Sequence, residues 1–91
     1  MTLARKYYIK GVVQGVGFRF FVQRSAAKHQ IRGFVRNLPD GRVEVYAESG
    51  EEAVKRFYED LLTGPAYSRV DEIEEIVTEP TGTFSTFLIE K

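Results

Sequence analysis

The run Gly11-Val12-Val13-Gln14-Gly15-Val16-Gly17-Phe18-Arg19 holds the residues whose types and spacing suggest chemistry. A stretch of alternating residues enters it and an amphipathic stretch leaves it. Gly15 and Gly17 are free to take backbone angles that other residues find costly. A glycine turn that opens onto a helix N-terminus aims unpaired N–H groups at one spot, and the helix dipole adds positive potential there. The natural occupant is an anion, phosphate above all. Its ligands would be the amides of Gln14, Gly15, Val16, Gly17, Phe18 and Arg19, with the Arg19 guanidinium adding a planar fork of donors. Two familiar phosphate loops are excluded by the spacing. No Lys-Ser/Thr pair follows the second glycine, and Phe20 stands where a dinucleotide fingerprint needs a third. A tight turn that binds nothing is the competing reading.

Other chemistries find little support. The absence of Cys removes disulfides, thiolate metal sites and a cysteine nucleophile together. The one histidine, His29, has no serine or cysteine in a triad context and reads as a solvated residue at a helix end. Asp71, Glu72, Glu74 and Glu75 suggest a metal site less than an exposed strand face, so no metal or other cofactor is expected. Tyr7, Tyr8, Phe34 and Tyr46 offer a base-stacking surface of the RNA-recognition kind. The basic-aromatic signature of such modules is missing from Arg42-Val43-Glu44-Val45-Tyr46-Ala47-Glu48. Thirteen Lys plus Arg balance thirteen Asp plus Glu, so no global charge steers the chain toward nucleic acid or a membrane. The N-terminal residues lack the apolar core of a signal peptide, and no apolar run is long enough to span a bilayer. A cytoplasmic, monomeric protein of one domain, residues 1–91, is the expectation, and this length buries a core without staples.

The elements that must position the glycine run follow from periodicity. Residues 5–13 alternate as a strand, with Tyr7, Ile9, Gly11 and Val13 on one face. Residues 18–29 place Phe18, Phe21, Val22, Ser25 and Ala26 on one helical face. Ile31–Leu38 and Arg42–Glu48 form a hairpin around Pro39-Asp40-Gly41, with Val43, Val45 and Ala47 inward. Ser49-Gly50-Glu51-Glu52 has capping-box spacing. Ala53, Val54, Phe57, Leu61 and Leu62 then make an apolar stripe, and Gly64-Pro65 ends it. Residues 68–78 read as an irregular strand with a bulge, and 84–89 as a short last strand after Pro80-Thr81-Gly82.

The order βαββαβ plus a short C-terminal strand predicts an α+β, ferredoxin-like split β-α-β sandwich: one antiparallel sheet, two helices on one face. The first two strands are then parallel, with the third inserted between them, and their C-terminal ends lie about 10 Å apart. Asn37 is thereby brought beside the glycine loop. Its amide has no acid–base use near neutrality but both donates and accepts hydrogen bonds, which suits it to hold a water in line with phosphorus. The alternative is a strand-end residue that caps the turn backbone.

These residues resemble a known family. Gly11-x-Val13-Gln14-Gly15-Val16-Gly17-Phe18-Arg19, then Gly33-Phe34-Val35-Arg36-Asn37-x-x-Asp40-Gly41-x-Val43-Glu44, Gly64-Pro65 with Val70, and Phe87-x-Ile89 look like acylphosphatase over nearly the whole chain. The resemblance implies metal-free hydrolysis of acyl phosphates to carboxylate and inorganic phosphate, which would also compete as a ligand. It implies that the amides of residues 14–19 and the Arg19 side chain hold the phosphate, with Arg19 and Asn37 catalytic and Asn37 orienting the attacking water. Val12, Phe34 and His29-Gln30 depart from the family's commoner residues. The alternatives are a non-catalytic phosphate- or carbamoyl-phosphate-binding module, of the kind found in a larger hydrogenase-maturation protein, and an RNA-binding sandwich. The chain's end at Lys91, with no zinc-type cysteines, weighs against the first.

Overall fold

The computed structural model describes residues 1–91. Its elements are β1 (Thr2–Val12), α1 (Phe18–His29), β2 (Arg32–Asn37), β3 (Val43–Gly50), α2 (Glu51–Thr63), β4 (Arg69–Thr78) and β5 (Phe87–Glu90). The strand order is β4-β1-β3-β2-β5. Because β3 is antiparallel to both β1 and β2, those two run parallel and finish at the same edge. The ferredoxin-like sandwich is the fold.

The helices cover one face. Phe18, Val22 and Ala26 from α1 and Val54, Phe57 and Leu61 from α2 meet Tyr7, Ile9, Val13, Val35, Val43, Val45 and Ala47 in one continuous core. The inward set read from the alternation is the inward set found. The expected bulge is also present: the β1–β4 register shifts between Lys10 and Gly11, leaving Asp71 unmatched between Glu72 and Val70.

Four features differ from expectation. The sheet is mixed, because β5 pairs with β2 in parallel, Gly33 opposite Phe87 through Arg36 opposite Glu90. The physical reason is where the chain crosses: β4 finishes at the end of the sheet where β2 begins, so a strand entered from there runs the same way as β2. Second, the capping box does not form. Gly50 is the α2 N-cap, and Ser49 stays in β3, its hydroxyl donating to the Gln30 carbonyl at 3.2 Å. Third, His29 is not solvated. Its side chain is 12% exposed and its Nε2 lies 3.1 Å from Asp60 Oδ2, which also accepts from the Ser25 hydroxyl at 2.7 Å, joining α1 to α2.

Fourth, β3 is buried on both faces. Glu44, Tyr46 and Glu48 point away from the helices and are only 3%, 6% and 1% exposed. The chain between β4 and β5 crosses this outer face, and Phe84 packs on Phe34 and Tyr46 with ring centroids 5.7 and 5.4 Å away. The four aromatics considered for base stacking therefore make no common platform. Tyr7 faces the helices, stacked on Tyr58, and Tyr46 lies under the crossing segment.

Close sheet packing makes Gly33 indispensable. Its φ is +147°, and a Cβ there would sit 1.9 Å from the Tyr46 carbonyl oxygen. Gly33→Ala is expected to cost at least about 2 kcal/mol and to lower Tm by roughly 10 °C or more in thermal denaturation. The helix seam supplies a second expectation. Burial alone would raise the Asp60 carboxyl, but hydrogen bonds from Ser25 and His29 and the nearby Lys28 outweigh it and hold the pKa below the ordinary aspartate value. A carboxylate depressed in the folded state contributes stability that is complete above its unfolded pKa of about 4 and is lost as pH falls toward the folded value. Asp60→Asn should therefore flatten the fall in stability below about pH 4, as measured by urea denaturation at a series of pH values.

Candidate active site

The glycine loop is built by putting apolar side chains inside and the main chain outside. Val13 and Phe18 are each 1% exposed, and Val16 packs against the same core. Gly15 and Gly17 alternate with them at φ +75° and +77°, and a Cβ on either would meet nothing within 4 Å. Only these two of residues 13–19 have positive φ. Such alternation of backbone hand turns successive N–H groups toward one concavity, an anion-binding nest. The loop delivers the chain into α1, whose N-cap is Gly17 in the left-handed conformation, with no side-chain cap and no acidic residue in the first turn.

The donors are free. The first main-chain bond after the loop runs from Phe21 N–H to the Gly17 carbonyl at 3.1 Å. None of the N–H groups from Gln14 to Arg19 donates within the protein. Orphan donors of this kind cost free energy when buried without a partner, and glycine keeps these open to a ligand.

Arg19 is on the first turn of α1, and its Nη1 donates to the Glu90 carbonyl at 3.0 Å. Glu90 stands opposite Arg36, the residue before Asn37. The carbonyl that holds the guanidinium therefore belongs to the strand beside β2, about 4.8 Å from the end of β2 on which Asn37 sits. Sequence connectivity brought Asn37 to this edge; the Glu90 anchor for Arg19 carried no sequence signal, because any residue supplies a carbonyl.

Asn37 does not cap the turn. Its Oδ1 is buried and has no hydrogen-bond partner. The turn is held instead by Gln14, whose Nε2 donates to both the Leu38 and Arg42 carbonyls at 2.9 Å, and by Asp40, which accepts from Arg42 N–H at 3.0 Å. Gln14 thus has a structural side chain and a free amide, and it locks the loop to the β2–β3 hairpin. A buried amide oxygen left unpaired is an unmet acceptor, and it stands on the same sheet edge as the free N–H donors.

Other parts of the surface offer less. Asp71, Glu72, Glu74 and Glu75 are all exposed on β4, and no cluster of three or more His, Cys, Asp or Glu side chains is placed to hold a metal ion. No helix is long and apolar enough to cross a membrane. The largest cleft, about 540 Å³, is lined by Gln23, Arg24, Gln30, Arg32 and Thr86 at the far end of β2, remote from the loop.

A family model described as acylphosphatase matches residues 5–89. The chain belongs to the acylphosphatase family. It is 46% identical over 83 residues to the acylphosphatase of Moorella thermoacetica, covering 90% of this chain and 89% of that one. It is 41% identical over 87 residues to that of Bacillus licheniformis, covering 96% and 97%. The crystal structure of acylphosphatase from Bacillus subtilis superposes with a TM-score of 0.94 at 38% identity, over 98% of this chain and 99% of that one. Full-length HypF, in its phosphate- and nucleotide-bound form, matches with a TM-score of 0.89 at 30% identity, over 100% of this chain but 12% of its own length. Acylphosphatase activity, the hydrolysis of an acyl phosphate, is the chemistry that this family membership supports.

Titration with inorganic phosphate gives a direct check on the loop. The backbone amide resonances of Gly15 to Arg19 are expected to shift and saturate together, while those of α2 stay unmoved. Shifts spread evenly over the Lys- and Arg-bearing surface would instead report loose ion pairing.

Proposed function

We propose that the amides of Gln14, Gly15, Val16, Gly17, Phe18 and Arg19, with the Arg19 guanidinium, bind the phosphoryl group of an acyl phosphate, and that Asn37 positions the water that hydrolyses it. The observation that carries this reading is the pairing of unlike needs at one edge. A row of unpartnered N–H donors and a buried, unpartnered amide oxygen stand at the same edge of the sheet. The donors suit the phosphoryl oxygens; the Asn37 oxygen suits a water hydrogen.

In the reaction the water oxygen forms a bond to phosphorus as the bond from phosphorus to the acyl oxygen breaks. The carboxylate departs, and the water's proton passes to a phosphoryl oxygen of the substrate. A carboxylate is a good leaving group, so the site needs placement and charge stabilisation more than a strong base. The loop dipoles and Arg19 face oxygens on which charge accumulates, and they are already oriented before substrate arrives. Neither the loop nor Asn37 requires a metal. We read the working form as a cytoplasmic monomer acting on a small molecule, with no nucleic acid.

A second reading, a module that binds phosphate without turnover, is prompted by the likeness to HypF, whose structure is in a phosphate- and nucleotide-bound form. Benzoyl phosphate separates the two. Steady hydrolysis, unaffected by a chelator and competitively inhibited by inorganic phosphate, is the expected result; phosphate binding without turnover would favour the second. Asn37→Ala should lower kcat at least about a hundredfold while phosphate affinity stays within roughly threefold of the parent. Arg19→Ala should lose both. An Asn37→Ala variant with undiminished kcat would remove the water-positioning role.

A further inference from the structure

Glu48 lies outside the site, on the outer face of β3, yet it is among the most completely buried side chains, at 1% exposure. Its carboxylate accepts from the Tyr46 hydroxyl, from Thr81 N–H at 2.7 Å and Oγ1 at 3.0 Å, and from Gly82 N–H at 3.3 Å. No cation pairs with it. Removing a lone carboxylate from water is costly, and a glutamine or an apolar side chain would be the cheaper choice for stability alone. What a carboxylate offers is acceptor-only capacity for several converging donors, which fixes a single path for the chain that supplies them.

That chain is the segment 79–86. It joins β4 to β5 on opposite edges of the sheet, four strand spacings or about 19 Å apart. Eight residues reach at most about 28 Å, so the crossing alone takes up about two-thirds of the segment's full extension, and where it is pinned limits where β5 begins. β5 has four residues and one neighbour, β2, along which it runs to Glu90. The Glu90 carbonyl then receives Arg19 Nη1 at 3.0 Å. Glu44, the other buried carboxylate on this face, holds the far end: Arg36 Nε is 2.5 Å from Glu44 Oε1, and Arg36 Nη1 is 3.8 Å from Glu90 Oε1.

We infer that Glu48 is a positioning residue for the phosphate-binding arginine: by pinning the crossing segment it fixes β5, and with β5 the carbonyl that orients the Arg19 guanidinium. The inference rests on the phosphate role proposed above for Arg19.

The test is a double-mutant cycle read by phosphate affinity and by KM and kcat for benzoyl phosphate. Glu48→Gln presents an amide N–H₂ or a weaker acceptor to the Thr81 and Gly82 donors, and phosphate affinity is expected to fall at least fivefold, with KM rising in step. In an Arg19→Lys background, which keeps the charge but not the planar fork, the same change should alter phosphate affinity less than twofold. Thr81→Val, which removes one hydroxyl donor and leaves the N–H, should give a smaller loss of the same kind and serves if Glu48→Gln does not fold. Wild-type phosphate affinity in Glu48→Gln or Thr81→Val, with only Tm lowered, would overturn the inference. So would losses that multiply in the Arg19→Lys background. A parent protein that neither binds phosphate nor hydrolyses benzoyl phosphate would defeat the functional reading itself, a result distinct from either.

Discussion

The site depends on one constraint: the N–H groups between Val13 and Phe21 have no acceptor inside the protein. An α-helix leaves its first donors unpaired, and here no side chain caps them. The two left-handed glycines extend the unpaired set backward through the loop. The result is a concentration of positive main-chain dipoles that carries no formal charge and needs no reorganisation when an anion arrives. Val13, Val16 and Phe18 hold it in place from below by ordinary apolar packing. Loop rigidity and loop chemistry thus come from alternate residues of the same short stretch.

Around that loop the sheet acts as a positioning frame. The parallel relation of β1 and β2 puts the loop and Asn37 on one edge, and Gln14 fastens the two with paired bonds to Leu38 and Arg42 carbonyls. β5 adds the third fixed point through Glu90. The loop, Asn37 and the Arg19 anchor are therefore each held by a different strand, and the spacing between strands sets the spacing between them. On the mechanism we propose, a frame of this kind would orient substrate and water without any residue of strong basicity, in keeping with a reaction whose leaving group is already good.

The positions that depart from the commoner family residues are accommodated locally. Val12 is 42% exposed next to the loop and packs no core. Phe34 fills the outer aromatic cluster with Tyr46 and Phe84. Gln30 takes the left-handed cap of α1 at φ 58°, a conformation that costs a side chain roughly 1–2 kcal/mol relative to glycine. The neighbouring His29–Asp60 contact ties the same helix end to α2. None of these changes reaches Arg19 or Asn37.

Without coordinates, the residues disclose whatever is encoded by local pattern. Alternation located the inward faces of β1 and β3, glycine spacing located the loop, Pro39-Asp40-Gly41 located the hairpin, and connectivity alone carried Asn37 to the loop's edge. These are short-range properties, or consequences of strand order. The burial of Glu44 and Glu48 was hidden, because a strand that alternates valine with glutamate reads the same whether its polar face meets water, long side chains of neighbouring strands as at Glu44, or a crossing segment as at Glu48. The parallel course of β5 was hidden too, since a linker's length does not say which edge of a sheet it reaches. Long-range contacts made by main-chain atoms, such as Arg19 to the Glu90 carbonyl, leave no trace in residue identity, so only the folded arrangement could supply them.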